Sequence, residues 1–279
     1  MRRLYKVLLL VLLVGIFLEL GSIVHILSGE EHPRGNIAVV DVKGEISDSR
    51  ETVASLKKYV KEEDVKAIVL RVDSPGGTVG ASQEIHDQVL ETLKKKPIII
   101  SMGDVAASGG YYIAAPATKI VANPGTITGS IGVISHFFVV ENLLKKFHLK
   151  WEVIQGGKMK DLGSPLRNLT PEERKLLQVM TDDVHAQFIE AVAKGRKLPT
   201  EKVKALADGR VMSGRQAKAA GLVDDLGGLE HAIDVAAKLT GVAEPDVIYP
   251  KEKRLGWLRR WVEGKMDAPA LKTEYRFLP

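Results

Sequence analysis

The sequence predicts an α/β fold built around a parallel sheet. Three observations predict it. AIVLRV at 67–72 and IIIS at 98–101 are nearly continuous apolar runs, the composition of strands covered on both faces. Such runs alternate with segments of helical spacing, which is the pattern of βαβ units. Two glycine-rich turns, DSPGG at 73–77 and AASGG at 106–110, lie just beyond these runs, at the carboxyl ends where open α/β sheets bind ligands.

The elements follow in order. IAVVDVKG (37–44) is β-branched and ends in glycine, a strand. Residues 49–61 read as a helix, and AIVLRV is the second strand. Residues 80–95 form a helix with Ile85, Val89 and Leu93 at four-residue spacing. Pro97 opens the strand IIIS; a short helix over 109–116 follows the second glycine-rich turn. TKIVA (118–122) and WEVI (151–154) read as further strands. The second half is more helical. Thr170-Pro171-Glu172-Glu173 combines a capping box with a proline at the first helical position, so a helix runs from there to Lys194, where Gly195 stops it. Ser213 opens a second box, S-x-x-Q, and Gly221 closes that short helix. Residues 228–240 form one more. No internal repeat is visible, so residues 37–250 read as one domain.

The flanks differ from this body. Residues 1–6 are basic, and residues 7–27 are apolar apart from Glu19, Ser22 and His25. The uninterrupted core, 7–18, fits a signal-peptide h-region. The whole stretch is long enough to span a bilayer, and no A-x-A-like cleavage site follows it. The expectation is one retained N-terminal transmembrane helix, a cleaved signal being the alternative. The basic residues before it keep the N-terminus cytoplasmic, and the rest of the chain is then extracytoplasmic. Residues 28–36 are a polar linker. The net charge of +5 is concentrated in 251–279, a basic tail in which Trp257, Leu258 and Trp261 can share one side of an interfacial helix. The body is then nearly neutral, which argues against a nucleic-acid partner. The chain has no cysteine, which excludes disulfides, thiolate metal sites and cysteine nucleophiles.

Ser108, at a strand-to-helix junction, has two readings. It is a nucleophile whose oxyanion would meet outward-pointing helix N–H groups, or it is only an N-cap. The paired glycines of DSPGG would free further N–H groups for the same purpose. A serine hydroxyl needs a base. His25 and His32 belong to the flank; His86, His185 and His231 fall in helices and His148 in a lysine-rich segment. His136 is the one histidine left to consider. Lys160, in the glycine-flanked loop GGKMKDLGSPLR, is the lysine candidate, because withdrawal from water favours a neutral amine.

AASGGYYIA, TGSIGVI (128–134), KMKDLGSPLR (158–167) and GRVMSGRQAKAAGLVDDLGG (209–228), with DSPGG, resemble the signal peptide peptidase A family of serine peptidases in its short, single-repeat form. The resemblance covers residues 36–250. It implies a Clp protease/crotonase-like fold, a β-superhelix of ββα units. It implies Ser108 as nucleophile, Lys160 as general base and Ser130 as the serine that orients the lysine. It further implies an oxyanion hole of Gly109 with Gly76 or Gly77. Lys158, two residues away and before Met, matches no role, and no cofactor or metal is implied. The implied substrates are hydrophobic peptides, signal peptides left in the membrane above all. The implied assembly is a homo-oligomeric ring in which a neighbour can supply the lysine. The family's C-terminal peptide can occupy the active site, an expectation that falls on DAPALKTEYRFLP (267–279). Three alternatives stand beside this reading: a related stomatin-cleaving membrane peptidase, a crotonase-type acyl-CoA enzyme, and a non-catalytic membrane scaffold.

Overall fold

The computed structural model describes residues 35–250 and the backbone of strand Thr273–Arg276. The apolar segment 7–27 and the tail residues around Trp257 and Trp261 lie outside the described residues. Among those described, no helix is long and apolar enough to cross a membrane.

The main sheet is parallel along its central path. Strands β1 (Ile37–Lys43), β2 (Ala67–Ser74), β4 (Ile98–Ala107), β5 (Lys119–Ala122), β9 (Asp225–Leu226) and β10 (Val247–Ile248) take the order β10-β1-β2-β4-β5-β9. Helices α1 (Arg50–Lys61) and α2 (Val79–Leu93) connect the first three of these in sequence, as βαβ units require. The continuous apolar runs are explained by two cores. Ile68, Leu70, Ile98 and Ile100 face one cluster with Val89, Tyr111 and Phe188. Val69 and Ile99, the residues between them, face a second with Ile233 and Ala236 of the helix Leu229–Thr240. Alternate side chains enter opposite cores, so neither register position can be polar.

Strand β4 is longer than IIIS suggested. Its first half pairs with β5; its second half, Val105–Ala107, pairs with β6 (Ile127–Gly129). The change of partner occurs at Gly103, where a Cβ would lie 2.7 Å from the Asp73 carboxyl group. The Asp73 side chain also accepts the Val105 N–H at 3.1 Å. This carboxylate carries the strand past a glycine and an exposed Asp104 that would otherwise end it. Antiparallel to β6 runs β8 (Val211–Ser213).

Two expectations need correction. Residues 151–154 are not a strand. Trp151 and Ile154 are exposed, and no neighbouring strand among the described residues satisfies their backbone. Gly195 does not end its helix, which runs Pro171–Arg196 and stops on Lys197 at φ 54°. A Cβ at Gly195 would fall 2.5 Å from the Ala115 carbonyl oxygen, so this glycine serves close packing. The two capping boxes, Thr170/Glu173 and Ser213/Gln216, form as read, and Gly221 closes the second helix (Gly214–Ala220) in the left-handed conformation.

Candidate active site

The partner switch in β4 delivers Ser108 to the end of the strand, just before the short helix α3 (Gly109–Ala114). Ser108 is 1% exposed and held at φ 53°, ψ −120°, a conformation that costs a non-glycine residue about 1–3 kcal/mol. Two backbone bonds enforce it. Its N–H donates to the Gly129 carbonyl at 2.8 Å, and its own carbonyl accepts from the Tyr112 N–H at 2.8 Å. The small residues around it permit a close approach: a Cβ at Gly110 would lie 2.9 Å from the Ser74 carbonyl oxygen. The helix is pinned from behind by the Tyr111 hydroxyl, which donates to the Leu222 carbonyl at 2.9 Å. Burial pushes that phenol above its ordinary range, so it remains a donor.

Ser130 is the structural counterpart of Ser108. Ala107 and Gly129 are registered partners on β4 and β6, and each serine is the residue that follows. Ser130 also has positive φ, 51°, and is 7% exposed. Its N–H donates to the Arg210 carbonyl at 2.8 Å. With Ile134, His185 and Asp208 it lines an open cavity of about 340 Å³.

The DSPGG turn forms the facing wall as β3 (Gly76–Thr78). The two glycines differ. The Gly76 N–H donates to Ser74 Oγ at 3.1 Å. Ile46 brackets Gly77: its N–H donates to the Gly76 carbonyl, and its carbonyl accepts from the Thr78 N–H, both at 2.8 Å. In such a parallel bridge the intervening residue turns its own N–H to the other edge. On that edge lies β11 (Thr273–Arg276), antiparallel to β3 with Tyr275 opposite Gly77. Its other side pairs with β7 (Ile134–Ser135), and α3 lies beside it. A four-residue extended segment of this chain thus sits between β3 and β7. Ile46, which brackets Gly77, and Ser74, which engages the Gly76 N–H, carried no signal of these roles in the sequence.

The structure does not bring Lys160 to the serines. Lys160 is exposed on a turn, its N–H donating to the Gly157 carbonyl at 3.1 Å. No hydrogen bond joins its amine to Ser108 or Ser130. The neighbouring Lys158 pairs with Glu172. Asp161, immediately after Lys160, is bound by Arg167, which also grips Glu173. His136 is exposed and makes no bond to Ser108. Among the described residues, no group of three His, Asp or Glu side chains could hold a metal ion.

Residues 91–243 match the model of peptidase family S49, more than half of the chain, and residues 36–126 match the Clp protease model. The chain belongs to peptidase family S49. Among its relatives is a protein of Synechocystis named as a protease, 46% identical over 216 residues, which are 77% of this chain and 78% of that protein. Another, named as a protease in Methanocaldococcus jannaschii, is 38% identical over 75% of this chain and 68% of its own length. A third, named as a signal peptide peptidase in Enterococcus faecium, is 38% identical over 77% of this chain and 62% of that protein. This S49 chain is therefore a serine-type peptidase with an α/β, Clp protease-related fold.

Proposed function

We propose that this peptidase cleaves extended apolar polypeptides, signal peptides foremost, with a Ser108/Lys160 dyad. The observation that carries the reading is the pairing of a strained, buried serine with a cleft that seats an extended strand. A substrate in the place of β11 would run antiparallel to β3, its carbonyl presented to Ser108. The uncharged Lys160 amine takes the Ser108 proton as Oγ attacks the carbonyl carbon. The oxyanion accepts from the Gly77 and Gly109 N–H groups; Gly76 is the weaker candidate because Ser74 already engages its N–H. The lysine then gives its proton to the leaving amine. Water, deprotonated by the same amine, releases the acyl group and restores Ser108. Ser130 orients the lysine.

The amine comes from a second copy of the chain. Lys160 is exposed, and the segment leading to it displays Phe147, Leu149, Trp151 and Ile154, each at least 60% exposed. A face this apolar marks an interaction surface, and covering it would withdraw the lysine from water. A ring of such copies, its protomers built as turns of a β-superhelix, fits the resemblance. The segment 7–27 holds the assembly at the membrane where signal peptides remain.

The test uses the full chain and a fluorogenic apolar peptide. Ser108→Ala and Lys160→Ala each abolish turnover, by about 10⁴-fold or more, and Lys158→Ala retains it. Wild-type turnover in Ser108→Ala overturns the mechanism, and the glycine-rich turn is then only a helix cap.

A further inference from the structure

We propose that Arg167 is the positioning residue for Lys160: it staples the turn that carries the lysine to the long helix, and it keeps Asp161 from pairing with the lysine amine. The proposal rests on Lys160 being the general base.

The lysine turn has little to hold it by itself. Within 157–164 the backbone makes only turn bonds, Lys160 N–H to Gly157 O, Leu162 N–H to Met159 O and Ser164 N–H to Asp161 O, at 3.1–3.2 Å; outside it, Gln155 Nε2 donates to the Lys158 carbonyl at 3.1 Å and the exposed Lys158 amine pairs with Glu172. Gly157 and Gly163 have positive φ, and the residues between them are exposed or half-buried. Arg167 adds the part-buried restraint, on the residue next to Lys160, with all five of its N–H donors. Nε donates to Asp161 Oδ2 at 2.6 Å, and Nη2 to the Asp161 carbonyl at 3.0 Å. The remaining hydrogens of Nη1 and Nη2 form a fork on Glu173, at 2.9 and 2.7 Å, and Nη1 also reaches the Asn168 carbonyl at 3.2 Å. The residue following Lys160 is thus clamped at both side chain and backbone. The far end of the clamp is Glu173, whose side chain is 3% exposed and which accepts the Thr170 N–H at 2.8 Å.

Capping the helix does not require this arginine. The second capping box of the molecule, Ser213/Gln216, makes the same two reciprocal bonds with a neutral glutamine and no arginine. The charged version occurs where the other end of the network is the residue beside Lys160. Charge gives Arg167 its second task. A carboxylate next to an amine favours the ammonium form, which cannot accept a proton. By occupying Asp161, Arg167 removes that competitor.

The experiment measures turnover of an apolar peptide and the rate at which a fluorophosphonate labels Ser108, both across pH, in the full chain. Arg167→Ala lowers kcat by about 100-fold, the scale of an ångström's misplacement of a catalytic group, and leaves KM close to wild type. The acidic limb of its rate–pH profile moves to higher pH, and adding Asp161→Asn moves it back. In a Lys160→Ala background, Arg167→Ala slows Ser108 labelling no further. Arg167→Lys, which keeps the charge and loses the fork, repeats the loss of kcat and covers the case in which the alanine variant does not fold. An unshifted acidic limb, or an equal loss with and without Lys160, reduces Arg167 to a structural staple and overturns the proposal. Wild-type labelling in Lys160→Ala alone overturns the dyad instead.

Discussion

Ser108 and Gly77 show how much a single backbone position decides. Tiny residues around Ser108 are what this strand end needs if the next helix is to pack on the neighbouring turn, where a Cβ at Gly110 would lie 2.9 Å from the Ser74 carbonyl oxygen. That requirement was legible in AASGG. A base for Ser108 was not: the glycine-flanked loop offered Lys160 as a candidate, but one lysine among 40 basic residues has little local signature, and the resemblance added the weight. The choice between Gly76 and Gly77 was equally hidden, because it depends on Ile46, some thirty residues upstream. Gly77 supports a sharp prediction. A Cβ there would sit 2.2 Å from the Ile46 carbonyl oxygen, so β3 must shift. Gly77→Ala is expected to lose about 1–3 kcal/mol of stability and most of its turnover, measured by urea unfolding and peptide hydrolysis. Wild-type kcat in a destabilised Gly77→Ala would remove its amide from the oxyanion hole.

The elements were read well where they satisfy themselves and poorly where they depend on others. Helices with caps and buried strands with uniform apolar composition appeared within a few residues of their expected bounds. Strand β4 was cut short because its second half is held by the Asp73 side chain and by β6, neither of which is local. WEVI was read as a strand because β-branched composition signals a fit to a sheet, and no described strand receives it. At this scale the capping box of the long helix sets a pH prediction. Hydrogen bonds from Arg167 first, then from the Thr170 N–H, hold the Glu173 carboxyl down to about 2, below the ordinary value of about 4.3. A depressed carboxylate stabilises the fold above its ordinary value, and that contribution is lost as pH falls through about 4 toward about 2. Glu173→Gln should be less stable than wild type at neutral pH, and the difference should shrink across this window, as read by urea midpoints from pH 2 to 7.

At the scale of the whole molecule, the chain carries a buried serine at positive φ, a groove that seats an extended strand and an exposed Lys160 that makes no hydrogen bond to Ser108. Its own residues 273–276 lie in the cleft, between β3 and β7. Truncation after residue 272 should therefore lower KM for added peptide and leave kcat largely unchanged. An unaltered KM would show that this strand does not compete with substrate.

The way that strand is held has a wider consequence. Its bonds to β3 and β7 run between main chains, and every polypeptide has the same main chain. Such a groove discriminates poorly between one residue and another, but strongly between states of a polypeptide. A folded domain has most of its amides and carbonyls already engaged and its sheet edges short or covered; a chain that has lost its fold, or has left the lipid that sheltered it, offers its whole main chain. Selection on that basis would happen at entry, before any bond is cut. On the proposed function, the groove would sort clients by conformation, and one short groove would then accept many unrelated sequences while most folded proteins around it go untouched.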